Sequence, residues 1–176
     1  MADIQPKKRN ALTLLLLTIY LLVLTWLILF KMQFSFPVME EGRVINLIPL
    51  LGSFDADGFL RFSEIRNNIL AFMPLGIYIC MLPRKWPFGK KVLAIAILSL
   101  GYETAQFIFV IGRADITDVL ANTLGGVIGI GVYTVASRCL KGRTNTVINI
   151  LATVITILAL LLIAVLLVSN RWIRIV

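Results

Sequence analysis

Residues 11–30, ALTLLLLTIYLLVLTWLILF, and residues 147–169, VINILATVITILALLLIAVLLVS, contain no charged residue. A helix rises about 1.5 Å per residue, so each run is long enough to cross roughly 30 Å of hydrocarbon. No small water-soluble core can hide two such runs. The rest of the chain points the same way: 59% of its 176 residues are hydrophobic and 15% are charged, against about a quarter charged in soluble domains. Three further apolar windows, 67–83, 92–112 and 116–137, are separated by short polar connections. The fold class read from this pattern is all-α, a polytopic membrane bundle of about five transmembrane helices. Residues 1–137 form one membrane domain. Residues 138–176 add a basic loop and a fifth span.

The basic residues give the orientation. With the N-terminus inside, the three cytoplasmic segments carry ten Lys/Arg and the longer external ones carry seven. The short-loop excess favours N-in, C-out. Trp26 and Trp172 then fall near the outer interface and Trp86 near the inner one. The basic start at Lys7–Arg9 resembles a signal peptide, but run 11–30 exceeds a usual signal core and lacks a small-residue cleavage site, so it reads as a retained span. The net charge of +8 comes from bases flanking apolar runs. That is the pattern of anionic lipid headgroups, and nucleic acid is not an expected partner.

The chain has no histidine, which excludes histidine-ligated metals, Ser–His–Asp triads and a histidine base. Cys80 and Cys139 fall toward the reducing cytoplasm and show no disulfide or metal spacing. Pro74 lies inside the second window, where a kink is expected near Ala71–Pro74. The external segment 31–66 contains VINLIPLLGSF at 44–54, apolar but too short to span. It either lies on or dips into the membrane, or packs on the bundle as an ordinary loop.

Polar residues then concentrate where the chain is otherwise oily. Glu103 sits nine residues before Gly112, about 14 Å in by helical rise, with Gln106 one turn outward on the same face. Arg113 and Asp115 fall in the external turn, Asp118 and Asn122 in the first two turns of the fourth span, and Asn68 at the outer end of the second. Asp118, Asn122, Gly125 and Gly129 share roughly 60° of helix arc. That stripe is polar outside and small inside, and it faces protein rather than lipid. The candidate ligand-binding set is therefore Asn68, Glu103, Gln106, Arg113, Asp115, Asp118 and Asn122. Each has a structural alternative: Glu103 as interhelical glue to Gln106 or Asn68, Asp115 and Asp118 as helix N-terminal residues, Asn122 as packing, and Arg113 as an ion-pair or headgroup residue. Ionisable groups inside a membrane are functional candidates by default.

The order Asn46-x-x-Pro49, Asn68-Ile69-Leu70-x-Phe72-Met73-Pro74-Leu75-Gly76, Glu103-x-x-Gln106 and Gly112-Arg113-x-Asp115-x-x-Asp118-Val119-x-x-Asn122-Thr123-x-Gly125 resembles the VanZ-like family over residues 11–137. The resemblance implies a small bacterial integral membrane protein of the cell envelope. It also implies a link to glycopeptide resistance, chiefly to teicoplanin, whose lipid tail anchors it in the membrane. The matching positions are Asn68, Glu103, Gln106, Arg113, Asp118 and Asn122. Asp115 stands where the family often has a small polar residue.

Three functions follow. The first is a binder of a lipid-linked envelope molecule or lipoglycopeptide, with Arg113 on an anionic group. The second is an intramembrane hydrolase or transferase on such a substrate. It would use Glu103 and Asp118 as acid and base, or Mg²⁺ held by Asp115 and Asp118. The third is proton- or ion-coupled transport through Glu103. No cofactor is required by the residues. The expected partners are membrane lipids and lipid-linked precursors, with a second copy of the chain also a candidate.

Overall fold

The computed structural model describes residues 4–30, 45–50, 62–82, 85–109 and 114–173. Five α-helices dominate them: α1 (Ile4–Phe30), α2 (Phe62–Met81), α3 (Phe88–Phe109), α4 (Ile116–Leu140) and α5 (Thr144–Ile173). A 3₁₀ turn at Lys141–Arg143 joins the last two. Two short strands, β1 (Ile45–Asn46) and β2 (Ala114–Asp115), pair in parallel, Ile45 opposite Ala114 and Asn46 opposite Asp115.

Each helix overlaps an apolar window; α1 ends at Phe30 and α4 begins at Ile116 as the windows do, but the other limits differ. α2 begins at Phe62 rather than Asn67, and α3 at Phe88 rather than Val92. Hydropathy stops where charge begins, but a helix need not. Glu64 in the first turn of α2 complements the helix dipole. The basic stretch 138–143 is likewise not an extended loop. α4 runs on to Leu140, Lys141 takes φ 49°, and the 3₁₀ turn leads into α5.

Among the described residues, three helical stretches are long and apolar enough to cross a membrane: Asn10–Leu29, Phe88–Phe109 and Ile116–Val165. The third is 50 residues long, about 75 Å if it were one straight helix, more than twice a hydrocarbon core. The break at Lys141 divides it, and Tyr133 Oη donates to Asn145 Oδ1 (2.8 Å) across the junction. α2 is not in that set, with Glu64, Arg66, Asn67 and Asn68 in its first two turns.

α2 and α4 form the centre of the molecule. A Cβ on Gly125 would collide with the Ile69 carbonyl, and one on Gly129 with the Met73 carbonyl. The two backbones touch because those side chains are missing. The contact order, Ile69 to Gly125 and then Met73 to Gly129, shows that α2 and α4 run parallel. α3 runs against both: Ile95 meets Gly126, and Ser99 meets Asn122. α1 closes the bundle with Leu24 packed in a cluster with Phe72, Leu75, Ile95, Tyr102 and Ile130. α5 joins at the opposite end from β1, where Ile148 and Ala152 pack beside Leu16, Tyr78 and Met81.

Hydroxyls inside these apolar helices find partners. Thr18, Thr25, Thr104, Thr123, Thr134 and Thr153 each donate to the carbonyl four residues back, which removes the cost of an unpaired donor in hydrocarbon. The helix assignment of α2 runs unbroken through Pro74. At the proline turn, Tyr20 Oη from α1 donates to the Ala71 carbonyl at 2.7 Å.

Candidate functional site

The polar residues gather at the end of the bundle that carries β1, β2, the start of α2, the end of α3 and the start of α4. Asp115 is the hub. It is the N-cap of α4, with extended backbone and its Oδ1 accepting from Thr117 N at 2.7 Å. This is the usual way to satisfy a free N–H in the first helical turn. Its Oδ2 accepts from Asn46 Nδ2 at 3.0 Å, and its own N–H donates to Glu103 Oε2 at 2.9 Å. Three segments, β1, α3 and α4, are thereby tied to one residue. Thr117 extends the network: its Oγ1 accepts from Leu50 N at 2.9 Å. That bond holds Leu50 at φ 67°, a left-handed conformation that costs a residue with a side chain roughly 1–2 kcal/mol.

Glu103 is only 5% exposed. Its partner is neither Gln106 nor Asn68 but the backbone of the α3–α4 connection. It lies six residues before Phe109, the last residue of α3, about 9 Å along the helix. Glu103 therefore lies in the layer of the α3–α4 connection. Asn68 reaches across from α2 and donates to Asp118 Oδ1 at 2.7 Å. Gln106, 7% exposed, donates through Nε2 to the Ile28 carbonyl of α1 at 3.2 Å. Asn122, 3% exposed, donates to Ser99 Oγ at 2.9 Å.

Among the described residues, two buried oxygens have no hydrogen-bond partner: Gln106 Oε1 and Asn122 Oδ1. For Gln106 the assignment follows from chemistry, since a carbonyl can only accept and the amide nitrogen must face Ile28. Ser99, Glu103 and Gln106 share one face of α3, so the two oxygens flank Glu103 along the helix. A buried polar atom without a partner costs about 1–3 kcal/mol, which makes such atoms informative.

Of the expected set, the structure brings Asn68 to Asp118 and Glu103 to Asp115. Gln106 and Asn122 each have other partners. Arg113 lies outside the described residues. Both Asp115 oxygens are occupied by neutral N–H donors, and among the described residues no group of three or more Cys, Asp or Glu could hold a metal. Cys80 and Cys139 are free thiols, Cys80 accepting from Lys91 Nζ at 3.3 Å.

Sequence reasoning did not place Asn46, Ser99 or Thr117 in the site. Ser99 was within reach of it, standing four residues before Glu103 on the same helical face. Asn46 was visible as half of Asn46-x-x-Pro49, but its destination depends on strand pairing across 69 residues.

The sequence model of VanZ/LLP1 matches residues 17–137, which include every residue of this network. The chain belongs to the VanZ/LLP1 family. It is 35% identical over 162 residues to Protein VanZ from Enterococcus faecium, covering 91% of this chain and 93% of the other. That likeness necessarily reaches beyond residue 137 into α5, which the VanZ/LLP1 match leaves out. No solved structure matches the chain. As a VanZ-like membrane protein, the molecule keeps all of this polar cluster within residues 17–137, while the buried polar residues Thr13, Thr144 and Asn149 lie outside them.

Proposed function

We propose that this VanZ/LLP1 protein is a five-span protein of the bacterial plasma membrane, N-in and C-out. At the outer end of its bundle it binds a lipid-linked envelope molecule or a lipoglycopeptide, and so contributes to glycopeptide resistance of the teicoplanin type. The observation that carries the reading is the acceptor-rich cluster around Glu103. Glu103, Asp115 and Asp118 offer carboxylate oxygens, and Gln106 Oε1 and Asn122 Oδ1 have no donor. Sugar hydroxyls, peptide N–H groups and an ammonium are the donors such a cluster accepts, and envelope precursors and glycopeptides carry them. Arg113, by its place in the sequence, takes an anionic group of the same ligand. The orientation is supported by Lys85, Lys90 and Lys91 before and within α3. They share the opposite end of the bundle with Arg138, Lys141 and Arg143, as a cytoplasmic face requires.

The test is equilibrium binding of teicoplanin and of a polyprenyl-linked precursor to the purified protein in nanodiscs. Wild type should bind one of them, and Glu103→Gln, Asp118→Asn and Arg113→Ala should each weaken it at least about tenfold, the loss of one charged hydrogen bond of about 1.5 kcal/mol or more. Equal binding by all four proteins would remove this site from the reading. The enzymatic alternative, with Glu103 and Asp118 as acid and base, predicts conversion of the precursor during the same incubation.

A further inference from the structure

Residues 45–50 are built the opposite way round from a loop packed on a soluble protein. Their polar groups face inward. Asn46 Nδ2 bonds Asp115, Asn46 Oδ1 accepts from Ile48 N at 3.2 Å, Leu50 N bonds Thr117, and Pro49 has no N–H to satisfy. Their apolar side chains face outward: Leu47 is 74% and Ile48 60% exposed, and Ile45 and Leu50 are exposed with them. Irregular backbone with the Ile48 and Leu50 N–H groups bonded to side-chain oxygens and its aliphatic side chains turned away is what a hydrocarbon solvent permits. In water the same arrangement would leave a contiguous apolar patch. Through the Ile45–Ala114 pairing the segment adjoins the end of α3 and the start of α4, where Ile108, Phe109 and Leu120 are also exposed. The outward face of the segment thus continues the lipid-facing surface of those helices.

We infer that residues 45–50 are seated in the bilayer, with Ile45, Leu47, Ile48 and Leu50 among the acyl chains of the leaflet next to the polar site. The segment then roofs Asp115 and Thr117 from the lipid side, with an apolar upper surface and a polar underside. On the binding function proposed above, this assigns the ligand class to amphiphiles, whose tail lies along Leu47 and Ile48 while the head displaces Asn46 from Asp115. Seating in lipid is measured without any ligand, so it stands or falls separately from that function.

The experiment uses the full chain in liposomes with Cys80→Ser and Cys139→Ser, spin-labelled at Leu47→Cys, at Ile48→Cys, or at exposed Glu64→Cys for reference. Collision rates are read with oxygen, which partitions into lipid, and with a water-soluble nickel chelate. Oxygen collisions should exceed nickel collisions at 47 and 48, and the order should reverse at 64. Nickel access at 47 and 48 equal to that at 64 would overturn the proposal. So would shielding from both reagents, which would place protein rather than lipid over the segment. A Leu47→Trp variant with both native cysteines repeats the measurement if the cysteine-free protein does not fold. Lipids brominated along the acyl chain should quench its added fluorescence, and quenching by aqueous iodide instead would also overturn the proposal.

Discussion

The α2–α4 pair and helix α5 are both helical, yet they are attached to the molecule by different means. α2 and α4 meet backbone to backbone through Gly125 and Gly129, and their shared end carries the polar network. α5 is attached near its start, by the Tyr133–Asn145 bond, by Ile148 and Ala152 packing, and by one reciprocal polar pair. Thr13 Oγ1 donates to Asn149 Oδ1 at 3.1 Å and accepts from Asn149 Nδ2 at 2.9 Å, both residues being buried. Beyond it, Ile155, Leu158, Leu161, Leu162 and Val165 are exposed. Lipid tails are as apolar as leucine, so a helix gains little by burying leucine against another helix in a bilayer. Close approach and polar contacts are what hold helices together there, and both concentrate on α2 and α4. Keeping register is a task of the central pair.

This contrast can be broken at four points. Gly129→Ala should have the largest effect, because its Cβ would collide with the Met73 carbonyl and backbone cannot swing aside as a side chain can. The cost should be about 3 kcal/mol or more, read as a fall in midpoint in thermal or denaturant unfolding of the purified protein. Asp115→Ala comes next. It removes the α4 cap and the anchor of Asn46 together, a loss of about 2 kcal/mol in the same assay, whereas Asp115→Asn should recover part of the cap. Asn149→Ala should cost only about 1 kcal/mol, the scale of one interhelical polar contact in a membrane. It should increase protease access near 144–149 while leaving the α2–α4 contact, followed by a disulfide engineered between those helices, unchanged. Leu158→Ala should stay within about 0.5 kcal/mol of wild type. A larger loss would mean that α5 packs on protein along its length, and the contrast would fail.

Much of this architecture could be read from the chain. Uncharged runs located the helices because hydropathy reports the solvent. The Asp118–Asn122–Gly125–Gly129 stripe was correctly assigned to a protein-facing side, since helical periodicity alone fixes which residues share a face. The limits of α2 and α3 were not legible, because charged residues such as Glu64 are compatible with helix and end only the apolar signal. The partners of the polar residues were not legible either. Glu103 finds the N–H of Asp115, and Asn46 crosses to the same residue, through a strand pair two residues long. So short a pair leaves no periodic trace, and no local rule specifies a contact between residues 46 and 115. The orphaned oxygens of Gln106 and Asn122 were invisible for the same reason, since a residue type announces a hydrogen-bonding group but not whether a partner arrives.

The parallel course of α2 and α4 has an electrical consequence. Antiparallel neighbours let their peptide dipoles cancel, but two parallel helices in close contact point their positive ends the same way. Here both positive ends open onto the layer that holds Asp115, Asp118 and Glu103. Glu64 and Asp118 occupy the first turns of α2 and α4, and Glu103 accepts the amide that leads into α4. The C-terminal parts of α1 and α3 lie in the same layer and oppose that field, so what favours the carboxylates is local: the free N–H groups at the start of α4, one of which donates to Asp115. The glycines that let the two helices touch also bring their starts close enough for Asn68 to reach the Asp118 carboxylate.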